Sequence, residues 1–139
     1  MKYFFDTNVI IDILDKKEDA LNQLISIGEE ENSIIFINRL VYLETLRTIR
    51  FKDKKVFEKA KLTLDSFEKL DINPNIYDEA IAFSRFCNSE KHFHLKGKCE
   101  VIDFLHFITA KYYSLEIVSN DKDLAKLETV YNEFLETNK

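Results

Sequence analysis

Residues 1–10 read MKYFFDTNVI. Tyr3, Phe4 and Phe5 are three consecutive bulky apolar residues, so Tyr3–Phe5 reads as a short buried strand that stops at Asp6. From Val9 to Leu14 the pattern turns helical. A buried strand followed at once by a helix is the opening of an α/β unit, and the rest of the chain is read for repeats of it.

Leu21, Leu24, Ile25 and Gly28 lie at i, i+3, i+4, i+7, a helical stripe. Ser33–Ile37 is a continuous apolar run of strand length, and Asn38 is placed to cap a helix from Arg39 to Arg50. Phe57, Ala60, Leu64 and Phe67 form another helical stripe. Leu70–Ile72 suits a short strand before Pro74, the only proline. Ile76, Ala80, Phe83 and Cys87 share one helix face, and so do Val101, Leu105, Ile108 and Tyr112. Between them Asn88–Cys99 reads as a polar loop. Leu115–Val118 is a strand, Asn120-Asp121 turns into a short helix, and the tail from Glu128 is ambiguous between strand and helix. Alternating strands and helices predict a central parallel sheet flanked by helices, a three-layer α/β fold, in one domain spanning residues 1–139. Sites in such sheets form beyond the carboxyl ends of the strands, where Asp6 and Asp121 both fall.

Composition agrees with that class. The chain has 139 residues, of which 45% are apolar, enough for a sizeable core. With 2 Gly and 1 Pro it lacks the turn residues of an all-β fold. No apolar run approaches a membrane span and the N-terminus lacks signal-peptide zones, so a soluble cytoplasmic protein is expected. Cys87 and Cys99 form no CxxC pair and read as packed thiols. His92 and His94 have no partner at zinc-site spacing. The net charge of −5 argues at first against a nucleic-acid partner. That argument weakens if four acids form a site for two divalent ions, which would bring the total to about −1.

Four acids are embedded in apolar sequence rather than in charged runs such as Glu29-Glu30-Glu31. Asp6 follows Tyr3-Phe4-Phe5, and Glu44 follows Leu40-Val41-Tyr42-Leu43. Asp103 sits between Val101-Ile102 and Phe104-Leu105, and Asp121 follows Ile117-Val118-Ser119-Asn120. Gathered together, such oxygen donors suit Mg²⁺ or Mn²⁺, which can serve phosphodiester cleavage. Each acid alone has a simpler reading, and Asp121 could merely cap the helix that follows.

The ordered set resembles the PIN-domain family. Asp6-Thr7-Asn8 after the first strand, Glu44 on the next long helix, Asp103 opening a later helix and Ser119-Asn120-Asp121-Lys122-Asp123-Leu124 after the fourth strand match its motifs in order. The resemblance covers nearly the whole chain and is closest to VapC-type toxin ribonucleases. It implies a PIN-like fold, Mg²⁺- or Mn²⁺-dependent endoribonuclease activity on RNA, a homodimer and an antitoxin partner. Carried over by position, Asp6 and Asp103 are the main metal ligands, and Glu44 and Asp121 complete the catalytic pocket. Thr7, Asn8 and Ser119 orient the carboxylates, and Asp123 assists. Arg47, Arg50, Lys96 and Lys98 are placed to meet RNA phosphates, with Lys91 in the same loop. Two departures stand out. Leu124 takes the place of a common Phe, and His106 stands where the family usually has an apolar residue.

Rival readings fit less well. A haloacid-dehalogenase-type phosphatase wants a second Asp two residues after Asp6, where Asn8 stands. A receiver domain wants an acidic pair near the first strand and an Asp ending a middle strand, and neither is present. A non-catalytic PIN-like binding module is expected to lack pocket acids, yet all four are here. A housekeeping PIN nuclease in RNA maturation is the alternative to a toxin.

Overall fold

The computed structural model describes residues 1–89 and 100–137. Along the chain run β1 (Lys2–Phe5), α1 (Thr7–Leu14), α2 (Glu18–Gly28), β2 (Ile34–Asn38), α3 (Arg39–Leu46), α4 (Lys54–Asp65), β3 (Glu68–Leu70), α5 (Pro74–Cys87), α6 (Val101–Tyr112), β4 (Glu116–Val118) and α7 (Lys122–Thr137). All strand pairs are parallel, in the order β3-β2-β1-β4. The expected α/β class with a central parallel sheet and helices is therefore the one found. Tyr3, Phe4 and Phe5 are all buried, as an inner parallel strand requires.

The chain divides into two compact units, Met1–Asp71 with Ser114–Asn120, and Ile72–Tyr113 with Asp121–Lys139. The first holds the whole sheet and α1–α4. Register places Phe4 beside Phe36 and Ile117, and Phe5 beside Val118. The ring of Phe5 lies 6.2 Å from that of Phe67. Asn38 ends β2 fully buried, and its side chain accepts the Val41 N–H at 2.8 Å, capping α3 as its sequence position predicts. With glycine scarce, Lys16, Asn32 and Ser114 take positive φ at turns instead.

The second unit packs α5, α6 and α7 around Phe83. This fully buried ring lies 5.9 Å from Phe104, 5.6 Å from Phe107, and 5.3 Å from both Tyr131 and Phe134. The Tyr131 hydroxyl donates to Glu79 at 2.8 Å, so this buried polar tip is satisfied. Burial and then that hydrogen bond push its pKa up. Burial likewise pushes the Cys87 thiol up to about 11, in keeping with a packed, unreactive side chain.

Several boundaries differ from the sequence reading. The helix after Asn38 ends at Leu46, not Arg50: the Thr48 and Ile49 N–H groups donate to carbonyls three residues back, those of Thr45 and Leu46, and the backbone passes into turns. The third strand is Glu68–Leu70 rather than Leu70–Ile72. Pairing of Phe36 with Glu68 and Asn38 with Leu70 sets its place, and Asn73 is committed to capping α5. Phe67 lies beyond the end of α4. The ambiguous tail belongs to the 16-residue α7, whose Leu124, Leu127, Val130, Tyr131 and Phe134 form a buried stripe. Most of the expected loop 88–99, with Lys91, His92, His94, Lys96, Lys98 and Cys99, lies outside the described residues. No described helix is long and apolar enough to cross a membrane.

Phe83→Ala should remove the shared packing surface of three helices. A loss of about 3–5 kcal/mol is expected on urea unfolding. A loss below about 1 kcal/mol would show that the aromatic cluster does not hold the second unit together.

Candidate functional site

Asp6 directly follows β1 and caps α1. Its backbone N–H donates to the Val118 carbonyl at 3.0 Å, extending the β1–β4 ladder. Its Oδ1 accepts the Thr7 N–H at 2.8 Å. Its Oδ2 accepts the Ser119 hydroxyl at 2.9 Å. A carboxylate only 4% exposed is costly without such donors.

Thr7 connects this acid to a second one. Its N–H serves Asp6, and its Oγ1 donates to Glu44 Oε1 at 2.7 Å. Glu44 comes from α3, 37 residues further on, and is half-buried. One residue thereby orients a carboxylate at the end of a strand and another on α3.

A polar chain leads outward from Ser119 through the first unit. The Asn8 amide nitrogen donates to Ser119 Oγ at 3.4 Å, and its carbonyl oxygen accepts the Asn120 N–H at 3.2 Å. The Asn120 side chain donates to Asp12 Oδ2 at 2.6 Å, and Lys17 pairs with Asp12 Oδ1 at 3.1 Å. The polarity is set along this chain. The backbone N–H of Asn120 orients the Asn8 amide, whose NH₂ then occupies an acceptor position on Ser119. The single hydroxyl proton of Ser119 points to Asp6.

The remaining acids belong to the second unit. Asp103 is the third residue of α6, and its Oδ2 accepts the Glu100 N–H at 2.8 Å, a reciprocal capping arrangement. Asp121 Oδ1 accepts the Asp123 N–H at 2.9 Å at the head of α7, so the cap reading of Asp121 is realised. Asp123 itself pairs with Lys126 at 3.3 Å. Asp103, Asp121 and Asp123 are half-buried. The structure thus joins Asp6, Thr7, Asn8, Glu44 and Ser119 in the first unit, while Asp103, Asp121 and Asp123 occupy the second.

The donor set is all oxygen, the chemistry that Mg²⁺ and Mn²⁺ prefer over nitrogen and sulfur ligands. Among the described residues no group of three or more His, Cys, Asp and Glu side chains is gathered for an ion. Within the first unit Asp6 and Glu44 are linked through the single residue Thr7. Two carboxylates with water filling other positions is a usual way of holding Mg²⁺.

The PIN-domain profile matches residues 3–130. The chain belongs to the PIN-domain family. PIN domains are generally nucleases, and PIN nucleases generally use divalent metals. Several solved structures share the fold of this PIN domain. A chain of a toxin–antitoxin complex from Klebsiella pneumoniae superposes with TM-score 0.65 at 21% identity, over 88% of this chain and 90% of that one. A chain of VapBC2 from Rickettsia felis, bound to a DNA fragment from its promoter, gives TM-score 0.69 at 19% identity, over 91% and 93%. A chain of FitAcB from Neisseria gonorrhoeae gives 0.63 at 18%, over 90% and 91%. No curated protein is matched by the sequence.

The two departures from the family pattern both lie in the core. Leu124 is 2% exposed, and His106 is fully buried within the run Phe104–Ala110. Arg47 is the helical C-cap of α3, three residues after Glu44, whereas Arg50 lies beyond the end of the helix. Arg50 instead pairs with Asp53 at 3.0 Å. Sequence reading missed Asp12 and Asn120. Asp12 lies one helical turn after Asn8, and Asn120 sits between two motif residues. Only the β1–β4 pairing shows that the two meet.

Asp12→Ala and Asn120→Ala should each lower stability by about 1 kcal/mol, and the double variant by clearly less than the sum. Chemical unfolding of the four proteins tests this, and strict additivity would mean that the pair is not coupled.

Proposed function

We propose that this PIN domain is a Mg²⁺- or Mn²⁺-dependent endoribonuclease and the toxin of a toxin–antitoxin pair. The observation that carries the nuclease reading is Thr7, which orients Asp6 with its N–H and Glu44 with its hydroxyl. An apolar strand end has no structural need for one residue that orients two acids, and like charges gathered at one place are unfavourable unless a cation offsets them.

In this reading Asp6 and Glu44 hold the ion, with Asp103 and Asp121 completing the pocket. A bound divalent ion supplies charge to the scissile phosphate and lowers the pKa of a water. The chain's own residues do the positioning. Thr7 and Ser119 hold the Asp6 carboxylate in one rotamer, and Asn8 keeps the Ser119 proton directed at it. Asp103 and Asp121 are held by backbone N–H groups at two helix starts, where a negative charge is favoured. Asp123, beside Asp121, assists, and Lys96 and Lys98 belong to the phosphate-binding set.

The toxin reading draws on fold neighbours that come from toxin–antitoxin complexes. On this reading a second copy of the chain forms a homodimer in the cytoplasm. An antitoxin silences the pocket by presenting a basic side chain to the carboxylates, a cation in place of the metal.

Purified protein freed of antitoxin should cleave RNA in Mn²⁺ and stop in excess EDTA. Asp103→Asn keeps an acceptor for the Glu100 N–H, so α6 and the melting temperature should be maintained. Cleavage should nevertheless fall by about a hundredfold or more. Cleavage that persists in EDTA, or at the parental rate in Asp103→Asn, would sink the mechanism.

A further inference from the structure

Residues 47–55 read RTIRFKDKK, five cations and one anion in a chain whose net charge is −5. Arg50 and Asp53 close a turn. The Asp53 N–H donates to the Arg50 carbonyl at 3.0 Å, and the Arg50 guanidinium pairs with the Asp53 carboxylate at 3.0 Å. Phe51 and Lys52 form the tip. Phe51 is 94% exposed, and no other phenylalanine among the described residues is exposed. Turn tips favour Gly, Asn, Asp and Pro, so local conformation gives no reason for Phe there. Arg47, Lys52, Lys54 and Lys55 are exposed, and among the described residues none of them is in an ion pair. Lys54 and Lys55 also open α4, where Asp53 at the N-cap is the one acid and the first turn adds none, although that end of a helix favours negative charge. Beside the tip lies a cavity of about 680 Å³, floored by Leu46, Ile49 and Phe57. Folding explains neither the exposed ring nor the clustered cations, while an anionic partner with flat aromatic faces explains both.

We propose that this segment is a subsite for single-stranded RNA, in which Phe51 stacks on a base and Arg47, Lys52, Lys54 and Lys55 hold the flanking phosphates. Sequence-tolerant binding of single strands combines these two elements, an aromatic platform and a cationic track. The Arg50–Asp53 ion pair stiffens the turn, so the ring is presented in one orientation before the strand arrives. Phe51 lies seven positions after Glu44, which limits their separation to about 25 Å. The subsite therefore holds the strand a few nucleotides from the carboxylates. It rests on the nuclease reading for the choice of RNA as the strand bound.

Fluorescein-labelled oligoadenylate and oligouridylate titrated in EDTA, where cleavage is silent, measure binding by anisotropy. Phe51→Ala should weaken both complexes about tenfold without changing their salt dependence, and Phe51→Trp should restore them. Lys52→Ala combined with Lys54→Ala should lower the slope of log affinity against log salt by about 1.4. Melting temperatures should stay at the parental value, since these side chains are exposed. Parental affinity in Phe51→Ala overturns the subsite. So does a Phe51→Ala protein that binds RNA normally but no longer captures the antitoxin encoded beside it, which makes the patch a protein surface. Phe51-dependent binding by a protein that cleaves no RNA in Mn²⁺ would instead sustain the subsite and remove the nuclease reading.

Discussion

The hydrogen bond from the Asp6 N–H to the Val118 carbonyl is the constraint on which the first half of the site depends. It continues the parallel pairing of β1 with β4 by one residue past Phe5. Two strands more than a hundred residues apart are thereby aligned at their carboxyl ends, and the residues that follow them emerge side by side. Ser119 meets Asp6, and Asn120 meets Asn8 and Asp12, because the ladder is in this register. A slip by one residue would turn every side chain of β4 to the opposite face and break all of these contacts.

Given that alignment, the small polar residues around Asp6 have a common physical reason. A buried carboxylate needs donors, and in a parallel sheet the inner strands are too apolar to provide them. Thr7 and Ser119 provide them from the first residues beyond each strand, where the backbone leaves the sheet. The same donors fix the rotamer of Asp6, so satisfying the buried charge and aiming it are one arrangement. Glu44 enters through Thr7, which ties the C-terminal half of α3 to the start of α1 and joins two helices through a polar contact rather than an apolar one.

Charge is distributed unevenly over this acidic protein. The anions that matter to the site are drawn inward at strand and helix ends, where hydrogen bonds hold them. The densest run of cations is carried outward on a turn, where Asp53 compensates Arg50 alone. Net charge averages over this separation and gives a poor account of which partner a chain can bind, since local fields steer association. Exposed pairs such as Lys61–Asp65 and Lys126–Asp123 contribute little to stability by comparison.

The sequence by itself determined the alternation of elements and the identity of the acids. Tyr3–Phe5 and Ser33–Ile37 are apolar because inner parallel strands are covered on both faces, and Ile76 to Cys87 is periodic because one helix face is buried. In α6 the expected stripe holds only at Leu105 and Ile108, since Val101 and Tyr112 are exposed and Phe104–Ala110 is buried all round. Asn38 announced the start of α3 because capping is a contact between residues three apart. An acid at the edge of an apolar run is unusual enough to be noticed without coordinates, and that singled out Asp6, Glu44, Asp103 and Asp121. Only tertiary structure decided what depends on distant partners. The position of β3 follows from its ladder with β2, since Glu68–Leu70 carries no strand pattern of its own. The end of α3 at Leu46 is a local matter that hydrophobic periodicity does not register, since backbone bonds there pass from four residues to three. The pairing of Asn120 with Asp12 and the full exposure of Phe51 are outcomes of packing. One arises because the β1–β4 register brings residues 108 apart into hydrogen-bond distance, and the other because the ring sits at the tip of a turn rather than in the core.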